Sequence, residues 1–326
     1  MIPTYRGYCM ITQLSRRLVI MSKLANFHVK EQICAPFTPM KDDGEINHSF
    51  VKTYADYLVQ THFTGVFING SMAEGSSLTL DERKRMAETW IESSDGRLEV
   101  IVHVGTNCIK DSQELAKHAE KIGATAIAAF SPSYYKPENE EVLVDVMAEI
   151  AGEAPNTPFY FYEINFMTGV HINTRKFCEL AMKKIPSFRG LKHSKREMPS
   201  LHDCSMVENL QVLVGTDFQY LSSLVLGVKG IVTASYLGNI TYDMRTAFEA
   251  GDIEKTRDIQ KISHRINNIR FKYGGSARTC KAMFNILSGM DVGPVRLPLR
   301  KLTTEEFENM KKDFTDAGLA GIAKLK

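Results

Sequence analysis

The chain has 326 residues, 44% of them hydrophobic, enough to bury the core of one large α/β domain or two ordinary ones. Forty basic side chains against 38 acidic ones leave a net charge of +2, too weak a field to recruit nucleic acid or an anionic membrane surface. With no uninterrupted apolar run of about 18 residues, no membrane span is expected, and a small molecule becomes the expected partner.

Residues 1–27 carry Arg6, Arg16, Arg17 and Lys23 but no acid. That composition fits an organellar presequence, or an upstream extension with Met21 as the effective start; the second, with a disordered segment, is the expectation. From His28 onward, short runs rich in Val, Ile, Phe and Ala alternate with longer, charged segments of helical period: "EQICAPFTPM", "TGVFING", "LEVIVHVG", "TAIAAFSP", "PFYFYEI", "FRGLKHS", "LQVLVGT" and "GIVTAS". Eight strands each followed by a helix predict a parallel TIM (β/α)8 barrel over 28–250. A doubly wound sheet is the rival, but no GxGxxG follows the first run and the spacing stays even to the last. In "SSLTLDERKRMAETWIE", Thr79 and Glu82 form a capping-box pair, so that glutamate is structural. "GDIEKTRDIQKISHRINNIRFKYGG", "ARTCKAMFNILSGM" and the segment after "GPVRLPLRK" predict a C-terminal helical extension over 251–326, a cap or an oligomer contact.

Six cysteines lie far apart with no CxxC pair, which fits reduced thiols in the cytoplasm. Nine scattered histidines include no HExxH pairing, and neither a metal nor a cofactor is expected.

Three features carry chemistry. Active sites of such barrels lie at the C-terminal ends of the strands, and Lys192 falls late in the sixth run. Side chains alternate, so with Leu191 and His193 facing the helices, Lys192 and Ser194 face the barrel. A desolvated ammonium loses its proton, and the resulting amine is a nucleophile for carbonyls. The plainer reading is a lysine that snorkels to water or pairs with Asp217. In "PFYFYEINFMTG", Tyr162 lies at the end of the neighbouring strand, where a phenol can relay protons to substrate oxygens; a hydrogen-bonded core tyrosine is the alternative. The turn "INGSMAEGSS" lets backbone N–H groups approach a carboxylate and adds the Ser71 hydroxyl, although an ordinary strand-to-helix turn would look the same.

A lysine in GLKxS, a tyrosine in YxIxxxTG and a GSxxEG turn, on strands six, five and two, resemble the Schiff-base aldolase superfamily of N-acetylneuraminate lyase and dihydrodipicolinate synthase. The nearer resemblance is to its eukaryotic N-acetylneuraminate lyase group. It runs from about residue 28 to about 318 through "FTPMKDDGEIN", "VIVHVG", "SQELAKHAEKIGA", "IPSFRGLKHS" and "MDVGPVRLPL". The resemblance implies a barrel, a homotetramer, and reversible cleavage of N-acetylneuraminate to pyruvate and N-acetylmannosamine. It makes Lys192 the imine-forming residue and Tyr162 the proton shuttle. Ser71 links the tyrosine to the substrate carboxylate, and Tyr134 reaches towards a neighbouring subunit's site. Gly70, Met72, Met167, Thr168, Gly215, Asp217, Phe218 and Ala234 would line the substrate, with Gly215 and Asp217 binding its sugar hydroxyls.

The chain also departs from that pattern. Met72 stands where the family has a threonine, Ala73 where it has a glycine, Phe218 where an acid reaches the polyol tail, Ala234 where the lyases have a serine, and Asn165 where they have proline. Met167 stands where dihydrodipicolinate synthases carry an arginine. Two further expectations follow: the same imine chemistry on a less polar carbonyl compound, and a tetrameric binding homologue without turnover.

Overall fold

Runs of four to six residues with period-2 patterning leave one face for the barrel interior and the other for the surrounding helices. In the computed structural model, which describes Leu24 and residues 27–325, they form eight parallel strands. These are β1 (Gln32–Ala35), β2 (Gly65–Ile68), β3 (Glu99–His103), β4 (Ala126–Phe130), β5 (Phe159–Glu163), β6 (Phe188–His193), β7 (Gln211–Val214) and β8 (Gly230–Ala234), closed in sequence order with β8 paired to β1. The expectations for residues 1–27 lie outside the described residues, except at Leu24 and Phe27.

Helices α1 (Phe50–Gln60), α2 (Leu80–Ser94), α3 (Ile109–Lys121) and α4 (Glu140–Ala151) follow the first four strands. A single helical turn, α5 (Asn165–Thr168), precedes α6 (Thr174–Lys184), and α7 (Met198–Ser205), α8 (Tyr220–Val225) and α9 (Gly238–Glu249) complete the ring. The Thr79–Glu82 capping box starts α2 as read from sequence, each side chain bonding the other residue's backbone N–H. Ile33, Phe67, Ile101, Tyr160, Leu213 and Val232 fill the barrel. Val66, Val100, Phe161, Leu191 and Ile231 pack outward against the helices.

Among the described residues, three helices lie beyond the barrel: α10 (Ile253–Lys272), α11 (Ala277–Ser288) and α12 (Thr304–Asp316). They share its core, because the Phe284 ring of α11 lies 5.1 Å from that of Tyr54 and 5.4 Å from that of Tyr57, both on α1. Among the described residues, no helix is long and apolar enough to cross a membrane.

Candidate active site

At the C-terminal end of β6, the residues that alternate with Lys192 point out of the barrel. Leu191 joins the outer core, and His193 Nε2 lies 3.0 Å from Ser200 Oγ on α7. Lys192 therefore points inward. It is 4% exposed, with Nζ 4.1 Å from the centre of the Phe67 ring and 3.9 Å from that of Tyr162. The aspartate that might have paired with it is committed elsewhere: Asp217 Oδ2 accepts hydrogen bonds from Ser263 Oγ (2.8 Å) and Asn267 Nδ2 on α10, and Oδ1 lies 3.9 Å from Arg270. Burial without a neighbouring carboxylate brings the Lys192 amine down to about 7, so much of it is neutral near neutral pH.

Tyr162 is the cross-strand partner of Lys192 in the β5–β6 ladder. Its hydroxyl lies 3.4 Å from Ser71 Oγ, in the turn after β2. Burial raises the phenol to about 12, with the Ser71 and Ser194 hydroxyls pulling the other way. Amine, phenol and serine hydroxyl, drawn from β6, β5 and the β2 turn, thus meet in one place. A phenol kept protonated beside a neutral amine can pass protons but does not compete as a nucleophile.

The turn holding Ser71 is tight. Asn69 and Glu74 have φ of 58° and 56°, and Gly75 N–H closes it onto the Gly70 carbonyl at 3.1 Å. Ala73 is not among the residues of positive φ, so its methyl group costs the turn no backbone strain. Met72 is partly buried, between the barrel interior and the outer core.

The remaining predicted residues follow or close their strands and differ in burial. Gly215 follows β7 against Ser194, where an added Cβ would collide with the serine hydroxyl. Phe218 points its ring towards Phe271 of α10, centroids 6.4 Å apart. Ala234 closes β8 in register with Ala35. In α5, Thr168 is buried and Met167 exposed. Tyr134 lies apart from Lys192 as a 79% exposed side chain, edge-on to Tyr135.

Sequence reasoning missed His103. Its imidazole stacks on Phe130 at 4.7 Å and stands edge-on to Tyr162 at 5.8 Å. Burial holds it neutral, helped by Arg83 and Lys192. The signal was its parity with Ile101 on β3, which places it on the inner face. Glu163 and His193 form the next rung of the ladder beyond Tyr162 and Lys192, His193 facing the helices as its parity predicts. Burial raises Glu163 to about 7, opposed by Lys195 at 4.0 Å, and lowers His193 to about 4.

A closed (β/α)8 barrel with a buried, partly neutral lysine beside a phenol at its C-terminal end defines a class, the barrel enzymes that act on carbonyl compounds through an imine. The model of the dihydrodipicolinate synthetase family matches residues 28–317. The chain is 42% identical to the N-acetylneuraminate lyase of Danio rerio over 274 residues, 82% of this chain and 89% of the relative. The solved Proteus mirabilis N-acetylneuraminate lyase superposes with a TM-score of 0.85 at 31% identity, covering 90% of this chain and all of that one. A Ruminococcus gnavus sialic acid aldolase, solved as a catalytic lysine mutant, superposes with a TM-score of 0.79 at 28% identity, covering 88% and 96%. The chain belongs to the dihydrodipicolinate synthetase family, as a lyase of the Schiff-base aldolase type.

Proposed function

We propose that the protein cleaves N-acetylneuraminate reversibly to pyruvate and N-acetylmannosamine, with Lys192 as the nucleophile. The observation that carries this reading is the buried Lys192 amine beside Tyr162, brought down to about 7 by desolvation. The neutral amine attacks the C2 ketone, and loss of water, with one proton taken up from solvent, gives the protonated imine. Tyr162 takes the proton of the C4 hydroxyl while its own passes through Ser71 to the substrate carboxylate. The C3–C4 bond breaks, the aldehyde departs, and the bond's electron pair moves into the protonated imine to form the enamine. Tyr162 passes the proton taken from the C4 hydroxyl to C3 and recovers its own through Ser71; addition of water to the imine then releases pyruvate and restores the amine.

Backbone N–H groups of the 70–75 turn and the Ser71 hydroxyl supply donors for the carboxylate; Met72 adds none. Helix α10 holds the Asp217 carboxylate through Oδ2 and leaves Oδ1 to accept from a sugar hydroxyl, with Gly215 beside it. The names of the relatives do not favour the less polar substrate. A homotetramer, in which the exposed Tyr134 and Tyr135 pair meets a second copy, accords with the cost of leaving two aromatics in water. Free thiols at Cys34, Cys108, Cys178, Cys204 and Cys280 support a reducing, cytoplasmic setting. Incubation with N-acetylneuraminate and measurement of pyruvate release tests the reading. Release that depends on Lys192 supports it, and no release at any enzyme concentration refutes the substrate assignment.

A further inference from the structure

The turn that presents Ser71 holds a conformation it would not keep unaided. Two of its residues other than glycine, Asn69 and Glu74, sit in the left-handed region, and a Cβ on Gly75 would overlap the Asn69 carbonyl. Backbone of this kind persists only where its surroundings determine it. Asn69 is held locally, its Nδ2 donating to the Arg83 carbonyl at 2.9 Å, whereas the surroundings of Glu74 come from the far end of the chain.

Glu74 is buried, and so is Lys281 of α11, 207 residues away. Lys281 Nζ donates to Glu74 Oε1 at 3.2 Å, to the Thr38 carbonyl at 2.8 Å and to the Pro294 carbonyl at 2.6 Å. All three of its donors are thereby used. Glu74 Oε2 accepts the Arg296 backbone N–H at 2.7 Å. Thr38 Oγ1 in turn donates to the Ala73 carbonyl at 2.6 Å. The Arg296 side chain ties the same 291–296 strap to Glu82, Ser77 and Gly44. Glu74 is therefore held directly by the C-terminal segment, and Ala73 by the β1–α1 loop, whose Thr38 carbonyl the same lysine engages.

We infer that Glu74 and Lys281 are positioning residues, a buried ion pair through which helix α11 sets the 70–75 turn and hence the place where the substrate carboxylate is received. An apolar pair of similar volume could support the same fold, since replacing a buried ion pair by well-packed hydrophobic residues is often neutral for stability. It could not aim the turn, because only directional hydrogen bonds fix where the Ala73 and Glu74 backbone lies. The inference rests on the aldolase reading, and it makes the C-terminal segment a working part of the site.

Borohydride trapping of pyruvate on the full-length protein tests it, read as the pyruvate concentration that half-saturates labelling, with thermal midpoints measured alongside. In Lys281→Met and Glu74→Gln that concentration should rise by about 10-fold or more, the order expected for a lost charged hydrogen bond. Saturating pyruvate should still label Lys192 to one equivalent. Lys281→Arg should recover part of the loss, and the double variant should be no worse than the poorer single one. Thr38→Val, which removes only the bond to Ala73, decides the matter if the charge variants fail to fold; it should raise half-saturation by about 3-fold. Unchanged half-saturation with only a lower thermal midpoint would overturn the inference and leave the pair a stability clamp. No trapping by the unaltered protein would instead strike down the aldolase reading beneath it.

Discussion

Tyr162 and Lys192 are cross-strand partners on β5 and β6, and the amine lies 3.9 Å from the centre of the phenol ring. One ladder rung thus carries both the group proposed to form the imine and the group proposed to move its protons. With Phe67, the ring face offers the amine a cation–π attraction, which is too weak to keep it fully charged against burial.

The first prediction concerns the phenol. Tyr162→Phe keeps the ring that packs on Phe67 and His103, so the thermal midpoint should change little while turnover falls by about 100-fold or more. Turnover within a few-fold of the unaltered protein would return Tyr162 to a packing role.

A second prediction follows from the amine. Because kcat/KM reports ionisations of the free enzyme, and Lys192 is brought down to about 7, activity should rise with pH through about 7 and then level off. The sign follows from chemistry: only the deprotonated amine attacks. An acid limb centred near the ordinary lysine value of 10.5 would contradict the desolvated site.

Glu163 gives a third. Its carboxyl is raised from 4.5 to about 7, so between those values the folded state binds a proton that the unfolded state has released. That contribution to stability is present below 4.5 and is lost as pH rises through about 7. Glu163→Gln should flatten this part of the pH–stability curve, measured by urea unfolding at a series of pH values. An unchanged slope would show that Lys195, at 4.0 Å, already keeps the carboxylate charged.

The barrel was legible because its signal is local. Strand parity placed Leu191 outward and Lys192 inward, and Thr79 with Glu82 marked a helix start within four residues. Position on a strand likewise drew Tyr162 and Lys192 together. What escaped was non-local. Asp217 reads in sequence as a candidate partner of Lys192, but its partners Ser263 and Asn267 lie 46 and 50 residues later, on a helix whose docking no spacing reveals. Lys281 has the look of a solvated helix lysine until α11 packs its amine beside Glu74. His103 was hidden differently, since an imidazole among valines reads as core on either face of a strand.

The central claim is that Lys192 forms the imine, and reductive trapping tests it most directly. Borohydride added to the protein with pyruvate should fix one pyruvate equivalent per chain, located by peptide mapping at Lys192, and Lys192→Ala should fix none. A stable adduct on a different lysine, or unaltered labelling of the Lys192→Ala protein, would contradict the account.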